Sequence, residues 1–206
     1  EAQAYNADNI TPIIRRAVEM TRGEVMTYNN QYVRAWFHSY SGGKTTTAKE
    51  GLNFQEAEPP YIRSVKIKSN PYAPADVKEW QAVFSNKEVE KALEDMGVNV
   101  GDLKEVKISK KGKTGRATEL SVKGSKGSET VSAANFRIAL DAMTMKSTLI
   151  SRMQMEGGNL SMAGSGFGHG VGLSQWDAHM LAKEGKKPEE IVKFFFKNIE
   201  IKKLWD

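Results

Sequence analysis

The 206-residue chain contains no cysteine, which excludes disulfides and thiolate metal sites. It has only three histidines, His38, His169 and His179, so imidazole chemistry is confined to three positions. No apolar run approaches membrane-spanning length. There is no internal repeat, no low-complexity segment and no block of like charge resembling a nucleic-acid arm; Lys110-Lys111 and Lys202-Lys203 read as solvated turn and tail residues. Thirty basic against 25 acidic residues give a net charge of +5, which favours anionic surroundings without choosing among them. The chain starts at Glu1 rather than methionine, and a signal or anchor upstream is left open.

What the sequence does have is a glycine at every second position from Gly164 to Gly172, with His169 in the middle of the run. Each glycine gives up side-chain packing, and the usual return is positive φ or a backbone lying directly against another group. Leu173, Trp176, Met180 and Leu181 follow at helical spacing, so a helix is expected from Gly172 or Leu173. Two readings stand at this point. One is a tight turn with a solvated histidine. The other is a binding or catalytic loop whose free amides suit an anionic or carbonyl oxygen. The run is not a dinucleotide fingerprint, because His169, Val171 or Leu173 falls where the third glycine belongs, and no Gly-Lys-Ser/Thr follows to make a Walker loop.

Along the chain, Thr11-Pro12 reads as an N-cap with proline at the first helical position, with Ile13, Ile14, Ala17 and Val18 on one apolar face and Gly23 as the stop. Residues 24–28 and 31–40 read as strands joined by Asn29-Asn30, and 41–47 as a polar turn. Residues 50–60 read as a long loop and 61–68 as a strand. A short strand at Trp80, Val83 and Phe84 leads to the capping box Ser85-x-x-Glu88 and a helix closed by Gly97. Val106 and Ile108 pair in pattern with Leu120 and Val122, Ser132 caps a helix, and a hairpin turns at Gly157-Gly158. A last helix starts at Pro188. The expected fold class is α+β with mostly antiparallel strands and several short helices. The chain is expected to be a single domain over 1–206, with 76–140 a candidate inserted subdomain.

His38 and His169 both lie at element ends, where a scaffold presents functional groups, whereas His179 shares a helix face with Gln175. No His-x-x-x-His or His-Glu-x-x-His spacing is present, so no metal is expected. Ser39, Ser41 and Ser174 are candidate nucleophiles, but none lies in a Gly-x-Ser-x-Gly elbow. Glu50, Glu56 and Glu58 sit in the expected polar loop, where solvation makes a poor general acid.

Phe37-His38-Ser39-Tyr40-Ser41-Gly42-Gly43-Lys44-Thr45, Pro60-Tyr61-Ile62, Phe136-Arg137, Lys146-Ser147-Thr148 and 168–176 resemble, in the same order, the motifs of the stage II sporulation protein D and amidase-enhancer family. Ala17-Val18 with Thr21-Arg22-Gly23 also fits its pattern. The resemblance implies a peptidoglycan-acting protein outside the cytoplasmic membrane of a spore-forming or related bacterium, similar to lytic transglycosylases. These cleave glycan strands without water, one glutamic acid protonating the glycosidic oxygen and then taking a sugar hydroxyl proton. No cofactor is implied. Some members bind zinc through cysteines near the first motif, and this chain has none.

The family's catalytic glutamate belongs to an alanine-rich helical stretch before the histidine-serine motif, and nothing before Trp36 matches it. Glu1-Ala2-Gln3-Ala4 is a partial lookalike, but Gln3-Ala4-Tyr5 fits a separate polar element better. The catalytic helix is therefore expected upstream of this chain, as is any membrane anchor, with Glu50 and Glu56 as fallback acids. The substrate-binding set expected from the motifs is His38, Ser39, Ser41, Gly42, Gly43, Gly168, His169, Gly170 and Gln175, with His38 and His169 lining one groove. Two functional classes remain: an enzyme domain acting on glycan strands, or a non-catalytic module that engages peptidoglycan or other wall hydrolases. A nucleic-acid binder is disfavoured, because no aromatic-interleaved basic strand or recognition helix is evident.

Overall fold

A computed structural model describes residues 7–205, and the Gln3-Ala4-Tyr5 element lies outside the described residues. In chain order the elements are α1 (Pro12–Met20), β1 (Glu24–Tyr28), β2 (Gln31–Tyr32), β3 (Phe37–His38), α2 (Ala48–Leu52), α3 (Ala75–Lys78), β4 (Trp80–Ser85), α4 (Asn86–Asp95) and β5 (Leu103–Lys111). They continue with β6 (Ala117–Gly124), β7 (Gly127–Ser132), α5 (Ala133–Asp141), β8 (Ile150–Glu156), β9 (Asn159–Gly164), β10 (Leu173–Ser174), α6 (Gln175–Lys183), α7 (Pro188–Phe195) and β11 (Glu200–Lys203). The fold is α+β, and every strand pair but β3–β10 is antiparallel.

The chain divides into two compact units, residues up to Arg34 together with those from Asn198, and Ala35–Lys197. In the first, the sheet has the order β11-β1-β2, and Asn29 and Asn30 take left-handed φ of 50° and 62° at the β1–β2 turn. Thr11 caps α1 by accepting a bond from the Ile14 amide at 3.3 Å, with Pro12 at the first position. The apolar face of α1 is not buried: Ile13 is 81% and Val18 63% exposed.

In the second unit, two three-stranded sheets, β4-β9-β8 and β5-β6-β7, share a core with α4 and α5. Trp80, Phe84, Leu93, Leu120, Phe136, Ile150 and Leu160 fill it. Burying a side chain such as Phe136 contributes about 1.5–3 kcal/mol. β4, inside 76–140, is hydrogen-bonded along its length to β9, outside it. The Ser85–Glu88 capping box, the Ser132 cap and the Gly157-Gly158 turn form where the spacing placed them.

Several expected elements differ. The strand over 31–40 breaks after Tyr32: Val33 still donates to Met26 O at 3.1 Å, but the ladder then lacks a partner until Phe37. Residues 61–68 form isolated bridges rather than a strand, Ile62 with Phe196 and Lys66 with Lys44, because successive residues meet different neighbours. The loop over 50–60 begins inside a short helix, α2, capped by Thr47 and by the Glu58 carboxylate, which accepts from the Ala48 and Lys49 amides at 2.6 and 3.0 Å. The helix expected from Gly172 or Leu173 starts at Gln175, since Leu173-Ser174 is taken up by β10. β7 carried no apolar pattern of its own; only Val131 of it is buried.

Candidate functional site

The two sequence motifs meet because β3 and β10, although only two residues each, pair in parallel, Phe37 with Leu173 and His38 with Ser174. From there the loop after β3 and the glycine run before β10 lie side by side. Tyr40 and Phe167 exchange backbone bonds at 3.1 and 2.9 Å, and the Thr46 amide donates to Gly170 O at 2.8 Å. The glycines make this approach feasible. A β-carbon on Gly168 would stand 2.7 Å from His38 Cβ, and one on Gly170 2.5 Å from Arg116 Cζ; both residues have positive φ, 103° and 82°. The alternate glycines therefore serve chiefly to let backbone lie against neighbouring residues.

His38 and His169 stand with ring centroids 5.6 Å apart. His38 is 4% exposed, and its Nδ1 donates to Val171 O at 3.1 Å; because the partner is a carbonyl, Nδ1 carries the proton. Burial, then His169 and Arg116, hold its pKa well below the ordinary histidine value. His169 Nδ1 accepts from the Val171 amide at 3.0 Å, and its pKa is pushed down to about 4, by burial first and then by Arg137, with Arg116 adding. Both imidazoles are neutral at neutral pH.

Ser41 is fully buried and positions the loop. Its hydroxyl donates to Asp177 Oδ2 at 2.5 Å and accepts from the Gly43 amide at 3.0 Å. Asp177 also accepts from Ser174 Oγ at 2.5 Å and from Asn70 Nδ2 at 3.0 Å. Ser41 and His38, both expected to contact substrate, thus have almost no exposed surface. Of the amides in the glycine run, that of Gly168 donates to Lys146 O at 2.8 Å and that of Val171 to His169, so neither of these two is free. Ser39 is half-buried, its carbonyl accepting from the Trp176 amide at 3.0 Å, while Gln175 opens α6 and is exposed. Gly42 and Gly43 turn the chain with positive φ of 71° and 92°.

Glu50 and Glu56 separate. Glu56 is exposed in the segment after α2. Glu50 is half-buried, and its carboxylate accepts from Thr46 Oγ1 at 2.6 Å, the Thr114 amide at 2.9 Å and Thr114 Oγ1 at 3.0 Å. It lies so close to the β5–β6 turn that a β-carbon on Gly112 would fall 1.6 Å from Oε1. Glu50 lines an open cleft of about 940 Å³ together with Lys44, Thr47, Asn53, Gln55, Lys113 and Thr114. Through Thr46, which bonds both Glu50 and Gly170, the cleft wall is joined to the histidine loops.

The sequence reading missed Arg116. It has no exposed surface, donates from Nη2 to Ser41 O at 2.8 Å and packs on Gly170, and its Nε and Nη1 meet no acceptor among the described residues. Burial lowers its pKa to about 10, with Glu50 opposing the shift, so it stays charged at neutral pH. Asp177 was also missed, although Ser174-x-x-Asp177 before an apolar run has the spacing of a helix-capping pair. Among the described residues no group of three or more His, Cys, Asp or Glu side chains could hold a metal ion.

A family model described as "Domain of unknown function (DUF8618)" matches residues 64–172, more than half of the chain. An uncharacterised protein of Brachyspira hyodysenteriae is 28% identical over 97% of this chain and 51% of its own length. Stage II sporulation protein D of Bacillus subtilis is 30% identical over 91% of this chain and 50% of its own. The amidase enhancer of Bacillus subtilis is 23% identical over 94% of this chain and 33% of its own. The chain thus spans about half the length of the first two of these relatives and a third of the last. With its two glycine-bounded motifs joined in space and these relatives aligned along more than nine-tenths of it, the chain belongs to the DUF8618 family and to the stage II sporulation protein D and amidase-enhancer family.

Proposed function

We propose that this chain is the glycan-engaging part of a cell-wall remodelling protein, and that the cleft beside Glu50 receives a peptidoglycan glycan strand. The supporting observation is the coupling of that cleft, through Glu50 and Thr46, to the buried loop pair carrying both sequence motifs. The amide and hydroxyl groups of Asn53, Gln55, Thr47 and Thr114 complement sugar hydroxyls and acetamides, and Lys44, Lys49 and Lys113 complement sugar-borne carboxylates. The histidine loops act as the rigid support of this wall rather than as its reacting groups.

In this reading the whole protein performs lytic cleavage with a proton donor from a segment of the longer polypeptide, at the outer face of the membrane. Glu50 is an unsuitable donor in this arrangement, because both its oxygens already accept bonds from Thr46 and Thr114. A second reading, a module that binds the wall or another wall hydrolase without cleaving, is favoured by the burial of His38 and Ser41. Among the described residues no helix is long and apolar enough to cross a membrane. Sedimentation of the chain with purified glycan strands tests the cleft assignment. Lys113→Glu combined with Asn53→Ala should reduce the bound fraction at least about tenfold in affinity. Retention unchanged by both substitutions would refute it.

A further inference from the structure

A second concavity, sharing no lining residue with the glycan cleft, lies where β4, α4 and α5 meet. It is a groove of about 480 Å³ whose apolar lining comprises buried Phe84 and Ala92, half-buried Leu140 and exposed Val83. Glu88, Asp95 and Asp141 stand around it with one ammonium group, Lys91, which pairs with Asp95 at 3.5 Å and leaves Glu88 and Asp141 as the excess carboxylates. Such an acidic groove is set in a chain whose net charge is +5. Hydrogen bonds from Ser85 and from Thr144 keep the Glu88 and Asp141 carboxyls below the ordinary carboxylate range, so both are ionised well into mild acid.

The same region exposes apolar side chains that the fold leaves without cover. Val83 is 63% exposed, and Ile138 on α5 and Met143 just after it are 66% and 67% exposed. Val83 sits on β4, an edge strand of its sheet. Ile138 and Met143 do not line the groove but are carried by, or lie next to, α5, which bounds it; apolar surface rimmed by polar residues is the composition of an interaction site. The charge decides what fits: an apolar lining rimmed by carboxylates complements a helix with one apolar and one cationic face.

We propose that this groove is the docking site for a basic amphipathic helix of a partner protein. The inference is independent of the glycan reading, because it uses a different surface and a different chemistry. The test uses fluorescently labelled helical peptides, one of leucine and lysine and one of leucine and glutamate, titrated against the chain and followed by anisotropy and by amide chemical shifts. The lysine peptide should bind, with shifts confined to β4, α4 and α5, and should weaken as salt is raised. Asp95→Lys and Val83→Lys, both at exposed positions that tolerate lysine, should each weaken it about tenfold, whereas Lys49→Glu in the glycan cleft should not. Thermal unfolding of each variant confirms that it is folded. Equal binding by the variants, shifts scattered over the surface, or preference for the glutamate peptide would overturn the proposal.

Discussion

Arg116 and Gly170 are in such close contact that a β-carbon on the glycine would stand 2.5 Å from the guanidinium Cζ, Nη2 and 2.6 Å from Nε. This contact ties the β6 end of the core to the glycine run, and the Arg116 bond to Ser41 O ties it to the other loop. Gly170→Val should therefore damage the fold itself rather than binding alone. The positive φ costs roughly 1–3 kcal/mol, and displacement of a fully buried arginine adds to it. The urea midpoint checks this, and an unchanged midpoint would show that the contact is not structural.

Asp177 collects three donors, Ser41, Ser174 and Asn70, in a place without exposed surface. Asp177→Ala leaves the two buried serine hydroxyls without their acceptor, while Asn70 keeps its bond to Trp176 O at 2.8 Å, and should cost about 3 kcal/mol. Ser174→Ala, which removes one donor and leaves the carboxylate with two, should cost less. Denaturant unfolding of the two variants gives the order, and equal losses would argue against a shared network.

Stability should depend on pH through the two neutral histidines. A His pKa depressed in the folded state means that the unfolded chain binds more protons, so stability is fully present above about pH 6.5. It is lost as the pH falls through that value, and for His169 the loss continues to about pH 4. The His169 contribution is on the order of 3 kcal/mol. His38, also depressed, acts in the same direction. Comparing urea midpoints at pH 7 and pH 5 should show a fall for the native chain and a smaller one for His169→Gln. A parallel fall in both would assign the dependence elsewhere.

Gly112 and Glu50 form a separable pair. A side chain at Gly112 would meet the end of the Glu50 side chain, which can swing away, so Gly112→Ala should cost the fold little and detach Glu50 from Thr46 and Thr114. Glycan retention should then fall as it does in Glu50→Gln. The double variant should lose scarcely more than either single one, a coupling of about 1 kcal/mol. Additive losses would mean that Gly112 and Glu50 act on the cleft separately.

The parts of the fold legible in the sequence were those specified by local chemistry. The Thr11-Pro12 and Ser85–Glu88 caps, the Asn29-Asn30 and Gly157-Gly158 turns, and the alternation in β5 and β6 depend on residues a few positions apart. The convergence of His38 and His169 was also foreseen, from glycine-bounded loops at strand ends. What was not legible depends on partners distant in sequence. The alternation over 31–40 is genuine, but a strand needs a ladder, and none extends past Tyr32 before Phe37. Arg116 follows Lys113-Thr114-Gly115 in a polar turn, and nothing local shows that the turn folds over the histidine loops and buries it. Of the two readings of the alternate glycines, a tight turn or a loop of free amides, the second holds only in part. In the fold, the amides of Gly166, Phe167, Gly168, Val171 and Leu173 are bonded within the protein.

The most direct measurement is incubation with purified peptidoglycan glycan strands, quantifying retained protein and analysing the soluble fraction by mass for anhydro-ended fragments. Retention is expected, weakened at least about tenfold in affinity by Lys113→Glu with Asn53→Ala, and no anhydro ends are expected unless a segment carrying the proposed glutamate donor is supplied. Anhydro-ended fragments released by this chain alone, and lost in Glu50→Gln, would contradict this expectation and make Glu50 the acid.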